Sequence, residues 1–163
     1  VLMAAAIAGI LAALLSSIIE VLVMGGIPPV SRLDGMLVII LAVAPVLEES
    51  CKRGFSRLFA APWGKVGLYF GIMEGLGKLV GLEDGSGLGF IVSVMFHWGL
   101  GRYAQAGRWP LLVAIGAHIG YNLAAVGFHA LLGDVSSLVM LAVCGLIVWA
   151  SFQRPVDAAA SDP

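Results

Sequence analysis

The stretch Pro110 to Leu132 reads PLLVAIGAHIGYNLAAVGFHALL. It holds no Asp, Glu, Lys or Arg, and at about 1.5 Å of rise per residue it can cross a hydrocarbon core of roughly 30 Å. A surface helix of a soluble domain carries a charged face. This one carries only His118, Asn122 and His129 among strongly polar groups. It therefore reads as a membrane span with polar side chains inside it.

Five more apolar stretches flank it, at Val1–Met24, Gly35–Cys51, Val66–Gly81, Leu88–Tyr103 and Val135–Phe152. Between them lie breaks rich in Gly, Pro and charge: Gly25 to Pro29, Lys52 to Lys65, Leu82 to Gly87, Ala104 to Trp109, and Gly133-Asp134. The expected fold is all-α, a polytopic membrane protein built as a bundle of about six transmembrane helices. Residues 1–163 form one such domain with a polar tail over 153–163. Composition agrees. The chain has 163 residues, 60% of them hydrophobic and 12% charged, against roughly 25% charged in soluble domains. Its mean hydropathy is +1.02. These values exclude a soluble globular domain. A near balance of 9 Lys and Arg against 10 Asp and Glu excludes both disorder and a nucleic-acid partner. Cys51 and Cys144 have no metal-type or disulfide-framework spacing.

Orientation follows from the basic residues, which collect on cytoplasmic loops. Lys52, Arg53, Arg57, Lys65, Arg102, Arg108 and Arg154 fall on one side, and Arg32 and Lys78 on the other. That asymmetry places both termini in the cytoplasm.

Ionisable groups within a bilayer are costly unless they face a cavity or a partner, so each is a functional candidate. Here they are Glu20, Glu48, Glu49, Glu74, Lys78, His97, His118 and His129. Counting along the spans at about 1.5 Å per residue puts Glu48 and Glu49 about 6 Å, His97 about 9 Å, and Glu74 and His118 about 12 Å from the cytoplasmic ends. Four helices thus bring acids and imidazoles to similar depth. Lys52 and Arg53 follow Glu48 and Glu49 by four residues and can support them as ionised acids. His118 and Asn122 are also four apart and share a face. Glycines at 71, 75, 77, 99 and 101 allow close helix packing.

Two chemistries fit. In one, Glu74, His97 and His118 ligate a divalent metal, Zn²⁺ above all, while Glu48 or Glu49 acts as general base on the attacking water and Asn122 donates to the developing oxyanion. In the other, a glutamate and a histidine position the water without a metal. Each feature also has a structural reading. The run from Glu48 to Arg53 could be a charged helix end, and Glu74 with Lys78 a buried ion pair. Glu20 and His129 lie toward the opposite face and read as interhelical or interfacial groups, with Ser16 and Ser17 as local partners of Glu20.

The ordered set Glu48-Glu49-x-x-Lys52, Phe70-x-x-x-Glu74, His97 and His118-x-x-x-Asn122 resembles the PrsW-type intramembrane proteases. These belong to a wider group with the CAAX prenyl endopeptidases and the bacteriocin-processing membrane proteins, whose EExxxR motif fits Glu48, Glu49 and Arg53. The resemblance spans Pro45 to Asn122. Glu74 stands where the CAAX branch has a histidine, whereas Asn122 is closer to that branch. The resemblance implies hydrolysis of a peptide bond in a membrane-anchored protein or peptide, at the cytoplasmic face of a bacterial inner membrane. Two rival functions are a non-catalytic adaptor or immunity protein of the same fold and a small proton-coupled transporter. The absence of a visible repeat speaks against the transporter.

Overall fold

A computed structural model describes residues 1–26, 37–80, 86–107 and 109–154. The loop residues Pro28, Pro29, Arg32, Asp34, Glu83, Asp84 and Arg108, and the tail from Asp157, lie outside the described residues. Among the described residues the regular structure is entirely helical. Helix α1 covers Leu2–Gly25, and a π-helical turn, Ile39–Val43, leads directly into α2, Ala44–Leu58. Then come α3 at Trp63–Val80, α4 at Ser86–Gln105 and α5 at Pro110–Leu132. A 3-10 turn, Gly133–Val135, joins α5 to α6 at Ser136–Gln153. Two helical stretches, Leu2–Gly25 and Pro110–Gln153, are long and apolar enough to cross a membrane.

The second helix departs from expectation at its end. A break was expected from Lys52, but α2 runs on to Leu58. Glu49, Lys52 and Ser56 repeat at helical spacing and all three are buried, so these charges form an internal stripe and do not terminate the helix. The turn comes only at Phe59 to Pro62, where Ala60 takes φ 47° and the Ser56 hydroxyl donates to the Ala61 carbonyl at 2.6 Å.

Helices α3 and α4 are the most closely packed pair, with α1 and α2 grouped on the α3 side and α5 and α6 on the α4 side. The first group buries small residues of α1, namely Ala5, Ala8, Ala12 and Ala13, against Val66 and Phe70 of α3. The second is built around Phe96, Leu100, Ala114, Met140 and Cys144, with Trp63 reaching in from α3. Two seams join the groups, α3 on α4 and α2 on α5. The first is backbone against backbone. A Cβ on Gly67 would lie 2.2 Å from the His97 carbonyl oxygen, and one on Gly71 would lie 2.8 Å from that of Ser93. Only glycine admits that approach.

Candidate functional site

The polar residues converge where the two groups meet. Measured from the observed helix ends at about 1.5 Å per residue, Glu48 and Glu74 lie roughly 15 Å in, and His97 and His118 roughly 12 Å in. The longer α2 brings Glu48 and Glu49 level with the imidazoles. Successive residues on a helix point about 100° apart, so the two acids serve different neighbours.

Glu49 faces α5. It is 1% exposed, and its Oε1 accepts from Lys52 Nζ at 2.5 Å and from His118 Nδ1 at 2.9 Å. Lys52 is equally buried and sits at the centre of the cluster. Its ammonium is 2.8 Å from His97 Nδ1, 3.8 Å from Glu48 Oε2, and 4.2 Å from the centroid of the Phe70 ring. For these two residues the charged-helix-end reading is excluded by burial. Arg53 lies elsewhere, with its guanidinium over the Trp63 ring at 5.3 Å.

These contacts fix the imidazole tautomers. A lysine ammonium has only hydrogens to give, so His97 Nδ1 accepts and Nε2 carries the ring proton. That proton is donated to Glu74 Oε2. Glu74 Oε2 also accepts from the Ser93 hydroxyl at 2.8 Å, while Oε1 pairs with Lys78 at 2.7 Å. In His118 the order is reversed. Its Nδ1 hydrogen goes to Glu49, which leaves Nε2 with an open lone pair, the arrangement by which a carboxylate orients a working imidazole. Phe96 packs edge-on against both rings, whose centroids are 5.2 Å apart.

Glu48 Oε2 is buried and has no hydrogen-bond partner. It lies 3.8 Å from His97 Nε2 and 4.0 Å from His118 Nε2, and ligand atoms of the three residues all fall within 4.8 Å of one another. The group can hold a metal ion. At Zn–N bonds of about 2.0–2.1 Å, two tetrahedral ligands sit about 3.3 Å apart, so the separations among these three atoms would shrink by roughly 0.5–1.5 Å on an ion. The same spacing suits one water whose two hydrogens reach Glu48 and His118. An orphaned buried carboxylate oxygen beside an open imidazole lone pair calls for such an occupant.

The three-residue group differs from the set read in the sequence. Glu74 was expected to join His97 and His118 as a metal ligand and Glu48 or Glu49 to act as base, whereas Glu48 completes the group and Glu49 is engaged by Lys52 and His118. The reason is local: Lys78, Ser93 and His97 already engage both oxygens of Glu74. Asn122 also has a different engagement from the expected oxyanion contact, since its amide donates to the Ile40 carbonyl at 2.7 Å.

A cavity of about 560 Å³ opens beside the cluster between α1, α2 and α3, with Ser17, Glu20, Glu48, Phe70, Glu74 and Lys78 among its lining. Glu20, assigned from sequence to the opposite face, thus shares a wall with Glu48. Its expected partner Ser16 donates instead to the Ala13 carbonyl at 3.1 Å, and Glu20 Oε1 is buried with no partner. His129 stays apart, exposed in the last turn of α5. Ser93 is neutral and does not stand out among the ionisable groups of the sequence. Its spacing of four from His97 was a usable signal, the same as that of Asn122 from His118.

No family model, no curated protein and no solved structure matches the chain.

Proposed function

We propose that the chain is an intramembrane endopeptidase, a polytopic bundle of about six spans. In this reading it hydrolyses a peptide bond of a membrane-anchored protein or peptide near the cytoplasmic face, using water activated by Glu48. The observation that carries this reading is the buried Glu48 Oε2, without a hydrogen-bond partner, facing His118 Nε2 and His97 Nε2. The membrane placement draws support from apolar side chains left outside the packing, such as Leu112 at 66%, Leu131 at 80% and Leu146 at 64% exposure. Only 17% of the most apolar window of Pro110–Gln153 is buried, whereas the core helix of a soluble protein is mostly buried. The peptide substrate and the side of the membrane rest on the PrsW-type resemblance and on the basic asymmetry.

In this mechanism a water donates one hydrogen to Glu48 Oε2 and the other to His118 Nε2, which leaves its lone pairs free for a carbonyl carbon. Glu48 takes the proton as the C–O bond forms and returns it to the leaving nitrogen. Glu49 keeps His118 in the required tautomer, and Lys52 holds Glu49 as an anion. The donor set also fits a divalent ion such as Zn²⁺, held by Glu48, His97 and His118. Bound there, the ion would supply Lewis-acid polarisation and a more acidic water. His97 would join that set through Nε2 only in its other tautomer, with the ring proton on Nδ1.

The test is cleavage of single-span peptides in phospholipid vesicles made up in ¹⁸O-water, read by mass spectrometry. The expected result is one ¹⁸O in each new carboxyl group, with the rate reduced about 10²–10⁴-fold in Glu48→Gln at unchanged thermal stability. Equal cleavage by Glu48→Gln would remove the mechanism.

A further inference from the structure

The π-helical turn ahead of α2 has a register that can be followed rung by rung. The Ala44 N–H bonds the Ile39 carbonyl, a spacing of five. The next rung of that register would run from residue 45 to the Ile40 carbonyl. Residue 45 is proline, which has no N–H. The Ile40 carbonyl is therefore left without its backbone donor, and the Asn122 amide supplies one at 2.7 Å.

We infer that Asn122 is a positioning residue, a side-chain replacement for the N–H missing at Pro45 that holds α2 in the register placing Glu48 opposite the imidazoles. This rests on Glu48 being the working carboxylate. An extra residue in a helix turns everything after it by about 100°, so keeping the π turn decides which of Glu48 and Glu49 faces His118. Asn122 lies one turn beyond His118, so α5 grips this stretch twice, on α2 at Glu49 Oε1 with 2.9 Å and on the π turn at the Ile40 carbonyl with 2.7 Å. Ile40 and Glu48 also line one cavity, so slack at the turn is felt at the carboxylate. Ile40 is 41% exposed beside that cavity, so the Asn122 amide is the fixed donor that holds its carbonyl, and without it the turn is held less firmly in its register.

The experiment is a double-mutant cycle, because Pro45→Ala restores the backbone donor and makes Asn122 dispensable. In vesicles, Asn122→Ala is expected to lower kcat by about 10²-fold with KM nearly unchanged, as a displaced general base does. The pair Pro45→Ala/Asn122→Ala should regain most of that loss. In parallel, Asn122→Ala should lower the Tm in micelles by about 2–4 °C, and Pro45→Ala in that background should cancel the drop. A double variant as inactive as Asn122→Ala, with additive Tm losses, would overturn the inference and return Asn122 to direct contact with substrate. If the wild type cleaves no peptide, the hydrolase reading fails by itself, and the Tm cycle still decides whether Asn122 replaces the missing N–H.

Discussion

The two seams that join the helical groups are built on opposite principles. Along α3 and α4 glycines let backbones touch, and a Cβ on Gly67 would fall 2.2 Å from the His97 carbonyl oxygen. Along α2 and α5 polar side chains bridge the gap, Glu49 to His118 and Asn122 to Ile40. Backbone contact along α3 and α4 fixes where His97 stands, with the polar contacts of Glu74 to His97 and Ser93 laid across it. The other seam is bridged by the side chains of His118 and Asn122. A site with one wall set by backbone contact and another by hydrogen bonds keeps its geometry while its charges change.

The contrast can be broken most severely at Lys52. Lys52→Met removes the ammonium from a Glu49 that is 1% exposed, and unpairing a buried carboxylate costs about 3–5 kcal/mol. Thermal unfolding in micelles should show that loss, and Lys52→Met/Glu49→Gln should recover much of it. A mild loss in the single variant would mean that Glu49 is not held as an anion.

Gly67→Ala comes next, with a cost of about 1–3 kcal/mol from the forced separation of α3 and α4. Gly77→Ala on the same helix, where an added Cβ meets nothing within 4 Å, should be neutral or stabilising by up to about 1 kcal/mol. Equal effects at the two positions would dissolve the distinction between the seams.

Ser93→Ala removes one hydroxyl donor from Glu74 Oε2 and is expected to cost about 0.5–1.5 kcal/mol. It should also slow cleavage modestly through His97. The smallest effect is expected at Glu20, which borders the cavity without touching the imidazole pair. Glu20→Gln should change the cleavage rate by less than about tenfold, below the range expected of a general base. A loss as large as that of Glu48→Gln would bring Glu20 into the chemistry.

Much of this was legible in the sequence. Apolar runs and Gly-Pro breaks located the helices, with α5 matching its expected bounds, Pro110 to Leu132. Shared depth singled out Glu48, Glu49, Glu74, His97 and His118, because polar groups in apolar helices stand out by composition alone. What stayed hidden was azimuth. The π turn at Ile39–Val43 rotates Glu48 and Glu49 relative to the residues before them, and no periodicity argument anticipates an inserted residue. The extent of α2 was hidden too, since Lys52 and Arg53 read as a membrane edge until Lys52 is seen to be buried against Glu49 and His97. Which carboxylate completes the imidazole group is a three-dimensional fact, set by competition from Lys78 and Ser93 for Glu74.

The convergence of Glu48, His97 and His118 is tested most directly by titrating the purified protein in micelles with Co²⁺ and following its visible absorption. The expected result is one saturating equivalent with bands typical of nitrogen and oxygen ligands, weakened by about 10–100-fold or more in Glu48→Gln and in His118→Ala and nearly unchanged in Glu20→Gln. Binding that survives Glu48→Gln and disappears in Glu74→Gln would contradict the grouping and restore Glu74 as the third ligand.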